Sequence, residues 1–209
     1  MPELPELAAG YLAPLPPARP VGLRRRRVSA GTEIWRIDAT APAAWTWEGF
    51  PVPRYRFDPE SGAFRTRYAA GTLVGAFRER YRLTGLVIPT DHADQRLVFL
   101  TAARHLLVLD LRTEANLDAL GIDDQISTGQ LPDVWRTCHR LADAVRRWWT
   151  ELDAIVFRSR TTPESSTNFA FFAVDAFAVE SWPLAQCTDI LTDLVLHHGF
   201  TVGWNIGAS

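Results

Sequence analysis

The chain is poor in cysteine and in long apolar runs. Its 209 residues include two cysteines, Cys138 and Cys187, and neither belongs to a C-x-x-C pair. This excludes a disulfide framework and a cysteine-rich zinc site, so we interpret both as small core residues in a reducing compartment. No stretch approaches the roughly 18 apolar residues of a membrane span. Because the stretch MPELPELAAGYLAPLPP lacks the basic region of a secretory signal, we predict a cytoplasmic protein that does not bind a membrane.

Strong charge of either sign is also missing. The 22 basic and 24 acidic side chains give a formal net charge of −2. Such a balance creates no field for non-specific nucleic-acid binding, so we predict no direct nucleic-acid partner, although a local basic patch stays compatible with it. What the chain does have is large side chains, with eight tryptophans and eleven phenylalanines. These can bury enough area to hold one domain without a metal or a disulfide.

Composition separates an N-terminal arm, residues 1–28, from a domain formed by residues 29–209. Six prolines in the arm prevent a long helix and favour extended backbone, and an arginine run at 24–27 follows them. Two interpretations of the arm stay open. It is either a solvated segment lying on the domain surface or a docking segment for a partner or an acidic surface.

Strand and helix patterns mix along the domain without a βαβ rhythm, which predicts a single α+β domain. Strands are predicted for EIWRI (33–37), AFRTRY (63–68), HLLVLDL (105–111), DAIVFRSR (153–160) and FAFFAVDAF (169–177). Helices are predicted for 72–81 with Thr72 as N-cap, for 132–150, and for 186–200 with a stop at Gly199. In AFRTRY the alternation places Arg65 and Arg67 on a solvated face, opposite Tyr68.

Familiar catalytic and metal-binding motifs are absent from the sequence. It has no Gly-rich phosphate loop, no H-E-x-x-H and no G-x-S-x-G. The adjacent His197 and His198 would point about 100° apart on a helix, so no metal site is predicted. What remains is a group of polar residues near one turn, strand and helix: Arg56, Tyr68 and Glu79.

Each of these residues also has an ordinary structural explanation. Glu79 lies at the border of the apolar face of its predicted helix, beside small side chains, but it could form a surface salt bridge with Arg78 or Arg82. Tyr68 and Ser159 are predicted to point inward from strands, where their hydroxyls need polar neighbours. Either could be a satisfied core residue.

The order of these residues resembles the RES family, which takes its name from an arginine, a glutamate and a serine. The recurring pieces of that family appear here as Trp35-Arg36-Ile37, Arg56-Phe57-Asp58-Pro59, Tyr68-Ala69, Glu79, Asp110-Leu111 and Phe157-Arg158-Ser159-Arg160 with Asn168. They run in order from about residue 33 to 175. The turn after Arg56 is one residue longer than the tighter version of the family.

The resemblance implies a RES-like catalytic domain with a split, mixed β core and flanking helices, similar to the ADP-ribosyltransferase toxins. It implies that NAD is bound as substrate, without a metal, and that its nicotinamide–ribose bond is broken by hydrolysis or phosphorolysis. Many members look like toxins held inactive by a helix-turn-helix antitoxin of the Xre type, and a homodimer is also compatible with the sequence. The alternatives are a protein ADP-ribosyltransferase and a non-catalytic relative that binds a nucleotide or a partner.

The resemblance also implies roles for individual residues. The predicted catalytic residues are Glu79, Arg56 and Ser159, and the predicted NAD-binding residues are Arg36, Arg56, Tyr68, Ser159 and Asn168. Arginine forks suit pyrophosphate oxygens, and a carboxylate suits the positive charge that develops on ribose as nicotinamide leaves. Tyr68 would stack on or hydrogen-bond the nicotinamide side, and Ser159 would hold a ribose hydroxyl or the glutamate. Arg54 or Arg65 could replace Arg56 as the phosphate contact.

Overall fold

A computed structural model describes residues 6–161 and 167–206. Its strands are β1 (Arg25–Val28), β2 (Glu33–Asp38), β3 (Arg67–Ala70), β4 (Val87–Ile88), β5 (Arg96–Ala102), β6 (Leu106–Asp110), β7 (Ala154–Arg158), β8 (Thr167–Phe171), β9 (Phe177–Pro183) and β10 (Thr201–Val202). Its α-helices are α1 (Leu73–Tyr81), α2 (Glu114–Leu120), α3 (Gln125–Thr128), α4 (Pro132–Trp148) and α5 (Thr188–His198). Within these residues, no helix has the length and apolar character needed to cross a bilayer.

Eight of the strands form one mixed sheet in the order β1-β6-β7-β8-β3-β2-β5-β9. The pairing of β6 with β7 is parallel and the other pairings in this sheet are antiparallel. Strands β4 and β10 form a separate two-stranded parallel ladder. Because the helices flank one mixed sheet, the predicted α+β class with a single domain is confirmed.

The sheet is strongly curled. Strands β1 and β2 are five strand spacings apart in the sheet, yet residues 29–32 alone connect them. In a flat sheet five spacings would be about 24 Å, whereas the five residue steps from 28 to 33 span at most about 18 Å. The strands must therefore curve around an interior, which is filled by a buried cluster that includes Ile34, Leu100, Val156 and Phe171.

The sheet is also split between β2 and β3. These strands share one residue pair, Trp35 with Ala70, whereas β2 pairs with β5 over six residues and β3 pairs with β8 over four. Beyond that pair the two strands are not paired through their backbones. A side-chain hydrogen bond connects them instead, from Arg36 Nη1 to the Tyr68 carbonyl oxygen at 2.7 Å. This is the split in the β core that the resemblance predicts.

Several predicted elements form where local signals placed them. Helix α1 begins after Thr72, whose hydroxyl accepts a hydrogen bond from Gly75 N at 3.1 Å, as expected of an N-cap. Helix α5 ends before Gly199, which adopts φ +74°. Helix α4 buries the predicted stripe that includes Val134, Leu141 and the Cys138 side chain.

Three strand predictions need correction. The segment AFRTRY is a strand only from Arg67, and Arg67 is buried instead of solvated, because Trp45 and Trp47 cover that face of β3. Strand β7 ends at Arg158, so Ser159 lies in the following turn. The segment FAFFAVDAF is interrupted at residues 172–176, between β8 and β9.

The described part of the N-terminal arm, residues 6–28, packs on the domain. Tyr11 and Leu23 are buried, and the Tyr11 hydroxyl donates to the Asp123 carboxylate at 3.0 Å. The last three residues of the arginine run, Arg25, Arg26 and Arg27, lie in β1, which pairs with β6 at the sheet edge, and all three are exposed. The prolines at positions 2 and 5, and residues 162–166, lie outside the described residues.

Candidate active site

A cavity of about 440 Å³ opens where β2 and β3 diverge. Its lining is strongly basic, although the chain as a whole carries a formal charge of −2. Within the described residues, seven arginines and two carboxylates line it: Arg36, Arg56, Arg65, Arg67, Arg80, Arg158 and Arg160, with Asp38 and Glu79. A cavity with this charge suits an anionic ligand.

The carboxylate of Glu79 is held at one end of this cavity by three neutral donors. Its Oε1 accepts hydrogen bonds from Ser159 Oγ at 2.6 Å, Thr161 Oγ1 at 2.8 Å and Asn168 Nδ2 at 2.8 Å. Across residues 6–161 and 167–206, no hydrogen bond reaches Oε2. Glu79 is solvent-exposed, but these contacts fix its carboxylate and leave one oxygen free to meet a ligand.

Two elements bring those donors to Glu79. Ser159 and Thr161 follow the end of β7 in a tight turn, in which Thr161 N donates to Ser159 Oγ at 3.1 Å. Asn168 lies on β8, opposite Phe157 of β7. Sequence reasoning missed Thr161, and the only available signal was a second hydroxyl two positions after Ser159.

The amide of Asn168 has a defined orientation. An ionised carboxylate can only accept, so the amide nitrogen must face Glu79. The other amide atom, Oδ1, is buried with no hydrogen-bond partner among the described residues, although Asn168 is only 6% exposed and lines the cavity. A buried unpaired acceptor is costly, so Oδ1 suits an N–H or O–H donor of a ligand.

The hydroxyl of Tyr68 is already occupied by protein groups. It accepts from Phe57 N at 2.7 Å and lies 2.9 Å from Thr66 Oγ1, which in turn lies 2.9 Å from the Asp58 carboxylate. Since the single Thr66 hydrogen goes to that carboxylate, the Tyr68 hydroxyl donates to Thr66. Burial, with the nearby negative charge of Asp58, raises the pKa of Tyr68 well above its usual value. The ring of Tyr68, not its hydroxyl, is therefore what the cavity offers to a ligand.

Most of the Arg56 guanidinium faces the protein as well. The side chain is 7% exposed and donates to the carbonyl oxygens of Ile126 at 3.0 Å and Gly129 at 2.9 Å. Its guanidinium carbon also lies 5.1 Å from the centre of the Trp135 ring. Arg56 thus ties α3 and the residue after it to the cavity wall, and only part of the guanidinium can meet a ligand.

A second cluster lies at the other end of the cavity. Asp38 accepts from Arg36 Nε at 2.6 Å and from Arg67 Nη1 at 3.2 Å. Burial raises the pKa of Asp38, but these two positive charges and the hydrogen bonds outweigh it and hold the pKa below its usual value. Burial and the charge of Arg36 lower the pKa of Arg67 to about 10. Asp38 thus forms ion pairs with two arginines at once.

The model of the RES domain family matches residues 33–190, which is more than half of the chain. The chain belongs to the RES family. Among solved structures, it is similar to a chain of the crystal structure of the M. tuberculosis MbcT–MbcA toxin–antitoxin complex, with 16% identity and a TM-score of 0.55. That similarity covers 79% of this chain and 92% of the other chain, and at this identity it shows a shared fold. No curated protein matched the chain.

The residues predicted from the RES resemblance lie around one cavity. Arg36, Arg56, Tyr68, Glu79 and Asn168 line it. Ser159 is not among the lining residues, but its hydroxyl donates to the Glu79 carboxylate. Of the further arginines of the lining, the sequence indicated only Arg65 as a possible ligand contact, because arginines on a strand or turn are usually solvated. Only the curled sheet brings them to one place.

Proposed function

We propose that this RES protein cleaves NAD at the bond between nicotinamide and ribose. The observation that carries this proposal is the Glu79 carboxylate, which is fixed through Oε1 and free at Oε2, in a cavity rich in arginine. Membership of the RES family supports it. The arginines offer partners for a pyrophosphate, and the carboxylate offers a partner for positive charge.

In the proposed reaction the C–N bond between ribose and nicotinamide breaks, and its electron pair leaves with the nicotinamide nitrogen. The ribose carbon becomes electron-poor, as in glycoside cleavage, and the Glu79 carboxylate stabilises that charge. The oxygen of a water or phosphate then bonds to this carbon from a position that Glu79 orients, and a proton is released. The products are nicotinamide and ADP-ribose or its phosphate ester.

The other groups would position the substrate. Arg36 is the proposed pyrophosphate contact, with a lesser share for Arg56, whose donors largely face carbonyl oxygens of α3 and the residue after it. Tyr68 would stack through its ring on the nicotinamide side, because its hydroxyl already has protein partners. Asn168 Oδ1 would accept a hydrogen bond from a ribose hydroxyl or the carboxamide, and Ser159 would hold Glu79.

We also propose that the protein is the toxin of a toxin–antitoxin pair in the cytoplasm. The similar solved structure is that of a toxin–antitoxin complex, which supports a partner of this kind. The antitoxin would be a helix-turn-helix protein of the Xre type that covers the cavity. Co-expression with the product of a neighbouring reading frame of that type should restore growth that the protein alone arrests, and failure to restore growth would contradict this part.

The test of the catalytic proposal is incubation of purified protein with NAD, with and without phosphate, followed by separation of the products. Glu79→Gln should lower the rate by about 10²–10³, since one electrostatic group that acts in the transition state is lost. Its melting temperature should change little, because Glu79 is exposed and glutamine keeps an acceptor. Glu60→Gln is the matched control, since Glu60 lies at the surface in an ion pair with Arg140.

Three outcomes separate the alternatives. Free nicotinamide from NAD alone, with a large loss in Glu79→Gln, supports glycohydrolase or phosphorylase activity, and dependence on phosphate distinguishes the two. Nicotinamide release only when an acceptor protein is added indicates a protein ADP-ribosyltransferase. No release under either condition indicates a non-catalytic relative and overturns the proposal.

A further inference from the structure

The cavity carries more positive charge than NAD requires. Seven arginines against two carboxylates line the described part of it, whereas the one anionic group of NAD is its pyrophosphate. Three of these arginines, Arg80, Arg158 and Arg160, are exposed, but the other four are buried or half-buried. Burial of arginine without a carboxylate of its own is costly, because desolvation is not repaid. The excess therefore points to a second anionic group on the ligand.

The register of the strands separates the two ends of the cavity. Ala70 of β3 pairs with Asn168, the donor to Glu79, and Arg67 lies three residues earlier on β3. Three residue steps along a strand are about 10 Å. Arg36 lies between these ends, because its neighbour Trp35 pairs with Ala70 and Arg36 itself contacts the Tyr68 carbonyl.

At the far end, Arg67 donates through its terminal nitrogens to Asp38 and to the Thr46 carbonyl oxygen. Arg65 Nη1 donates to the Thr46 hydroxyl, but each arginine keeps one unused donor. Arg67 is 6% exposed and lines the cavity, and its Nε is buried with no hydrogen-bond partner among the described residues. The Nε of Arg65 is in the same situation, while its guanidinium carbon lies 3.9 Å from the centre of the Phe50 ring. Asp38, the carboxylate of this end, is already shared by Arg36 and Arg67.

Aromatic rings flank this end as well. Phe50 and Tyr55 line the cavity with their ring centres 6.0 Å apart. The guanidinium carbons of Arg65 and Arg54 already lie 3.9 Å and 4.7 Å from the centre of the Phe50 ring. The ring left for a purine base to stack on is therefore that of Tyr55, which is 53% exposed. An adenosine would therefore find both a stacking surface and arginines beside its ribose.

We propose that Arg65 and Arg67 form a subsite for a phosphomonoester, the 2′-phosphate of NADP, so that NADP is the preferred substrate. This inference rests on the proposed function. The nicotinamide ribose then lies at Glu79, the pyrophosphate at Arg36, and the adenosine 2′-phosphate at Arg65 and Arg67. Arginine placed beside the adenosine ribose is a general means of accepting that phosphate.

Binding of mononucleotides tests the subsite without any cleavage. Calorimetric titration with adenosine 2′,5′-bisphosphate and with AMP should show at least about tenfold tighter binding of the bisphosphate, since charge-assisted hydrogen bonds are gained. Arg65→Gln should reduce this ratio toward one. Arg136→Gln, which changes an exposed arginine paired with Asp133, should keep the ratio of the wild type. Equal binding of both nucleotides by the wild type would overturn the proposal.

Kinetics distinguish failure of the subsite from failure of the proposed function. The wild type should cleave NADP with a kcat/KM at least about tenfold above that of NAD, and Arg65→Gln should lose most of this preference. Cleavage of NAD at equal or greater efficiency refutes the subsite but keeps the proposed function. If neither dinucleotide is cleaved, the proposed function fails, and the mononucleotide titration alone decides on the subsite. Arg67→Gln, checked by thermal melting for folding, should lower the ratio in the same direction.

Discussion

The two ends of the cavity use a carboxylate in opposite ways. At one end Glu79 is bonded to neutral donors, Ser159, Thr161 and Asn168, which fix one oxygen without forming an ion pair. The charge of Arg160 interacts with this carboxylate but makes no hydrogen bond to it among the described residues. At the other end Asp38 is bonded to two guanidinium groups, which neutralise it. Under the proposed function the first carboxylate meets positive charge on the ligand, whereas the second holds two arginines in place.

Among the variants that test this comparison, Asp38→Asn should have the largest effect, a loss of folding stability. Removal of the charge leaves the buried Arg67 without its carboxylate, so we expect a loss of about 3–5 kcal/mol in the free energy of unfolding. Urea denaturation measures this loss. The control is Asp133→Asn, whose ion pair with Arg136 is exposed and should contribute less than about 1 kcal/mol. A similarly small loss for both variants would mean that Asp38 does not hold the arginine cluster.

At the Glu79 end, removal of one neutral donor should affect catalysis more than folding. Thr161→Val deletes one of three hydrogen bonds to Oε1 and should lower kcat about tenfold with little change in KM, since hydrogen bonds to charged groups contribute about 1.5–3 kcal/mol. Ser159→Ala should act in the same direction. Steady-state rates of nicotinamide release provide the measurement. Thr128→Val, near the surface of α3, is the control. An equal loss of kcat in that variant would show that the hydrogen bond from Thr161 to Glu79 has no specific effect on catalysis.

Tyr68 lies between the two ends, and a smaller effect is expected from Tyr68→Phe. The hydroxyl serves the protein, so its removal should cost about 1–2 kcal/mol in stability, because Phe57 N loses its acceptor. The kcat/KM should change little, whereas Tyr68→Leu, which removes the ring, should lower it. A loss in Tyr68→Phe as large as that in Glu79→Gln would show that the hydroxyl contacts the substrate.

The weakest of these effects is a dependence of stability on pH. The folded pKa of Asp38 lies below its usual value, because the charges of Arg36 and Arg67 outweigh the effect of burial. Its stabilisation is therefore complete above the unfolded pKa of about 4 and is lost as the pH falls through the lower folded pKa. Denaturation at pH 5 and at pH 3 should show a smaller decrease for Asp38→Asn than for the wild type. Equal decreases would contradict this coupling.

Local signals predicted a good part of the fold. The cap at Thr72, the stop at Gly199 and the apolar stripe of α4 depend on residues close in sequence, and each forms as predicted. The RES pattern likewise singled out Glu79 and Asn168, which a hydrogen bond of 2.8 Å joins in the structure. Such a pattern can be recognised because the order of its pieces survives insertions between them. The family and the α+β class could thus be predicted before any coordinates.

The remaining features depend on contacts between distant segments. Alternation in β3 correctly separates Arg67 from Tyr68, but it cannot tell that Trp45 and Trp47, from a segment without regular pattern, cover the arginine face. Thr161 is another example, since its contact with Glu79 joins residues that are far apart in the chain. Charged and hydroxyl side chains in short strands and turns are usually solvated. Sequence alone therefore predicts that Arg67 and Thr161 face solvent, whereas both contact distant parts of the chain.

The position of β8 in the sheet has a consequence for synthesis of the protein. This strand lies between β7 and β3, and Asn168 pairs with Ala70 across 98 positions of the chain (168 − 70). Contacts of such separation form late, after the intervening chain has been made. When α1 has left the ribosome, the nascent chain contains Glu79 but not yet Ser159, Thr161 or Asn168, which donate hydrogen bonds to it in the folded protein. Until its final third emerges, the nascent chain therefore contains Glu79 without the three groups that fix its carboxylate.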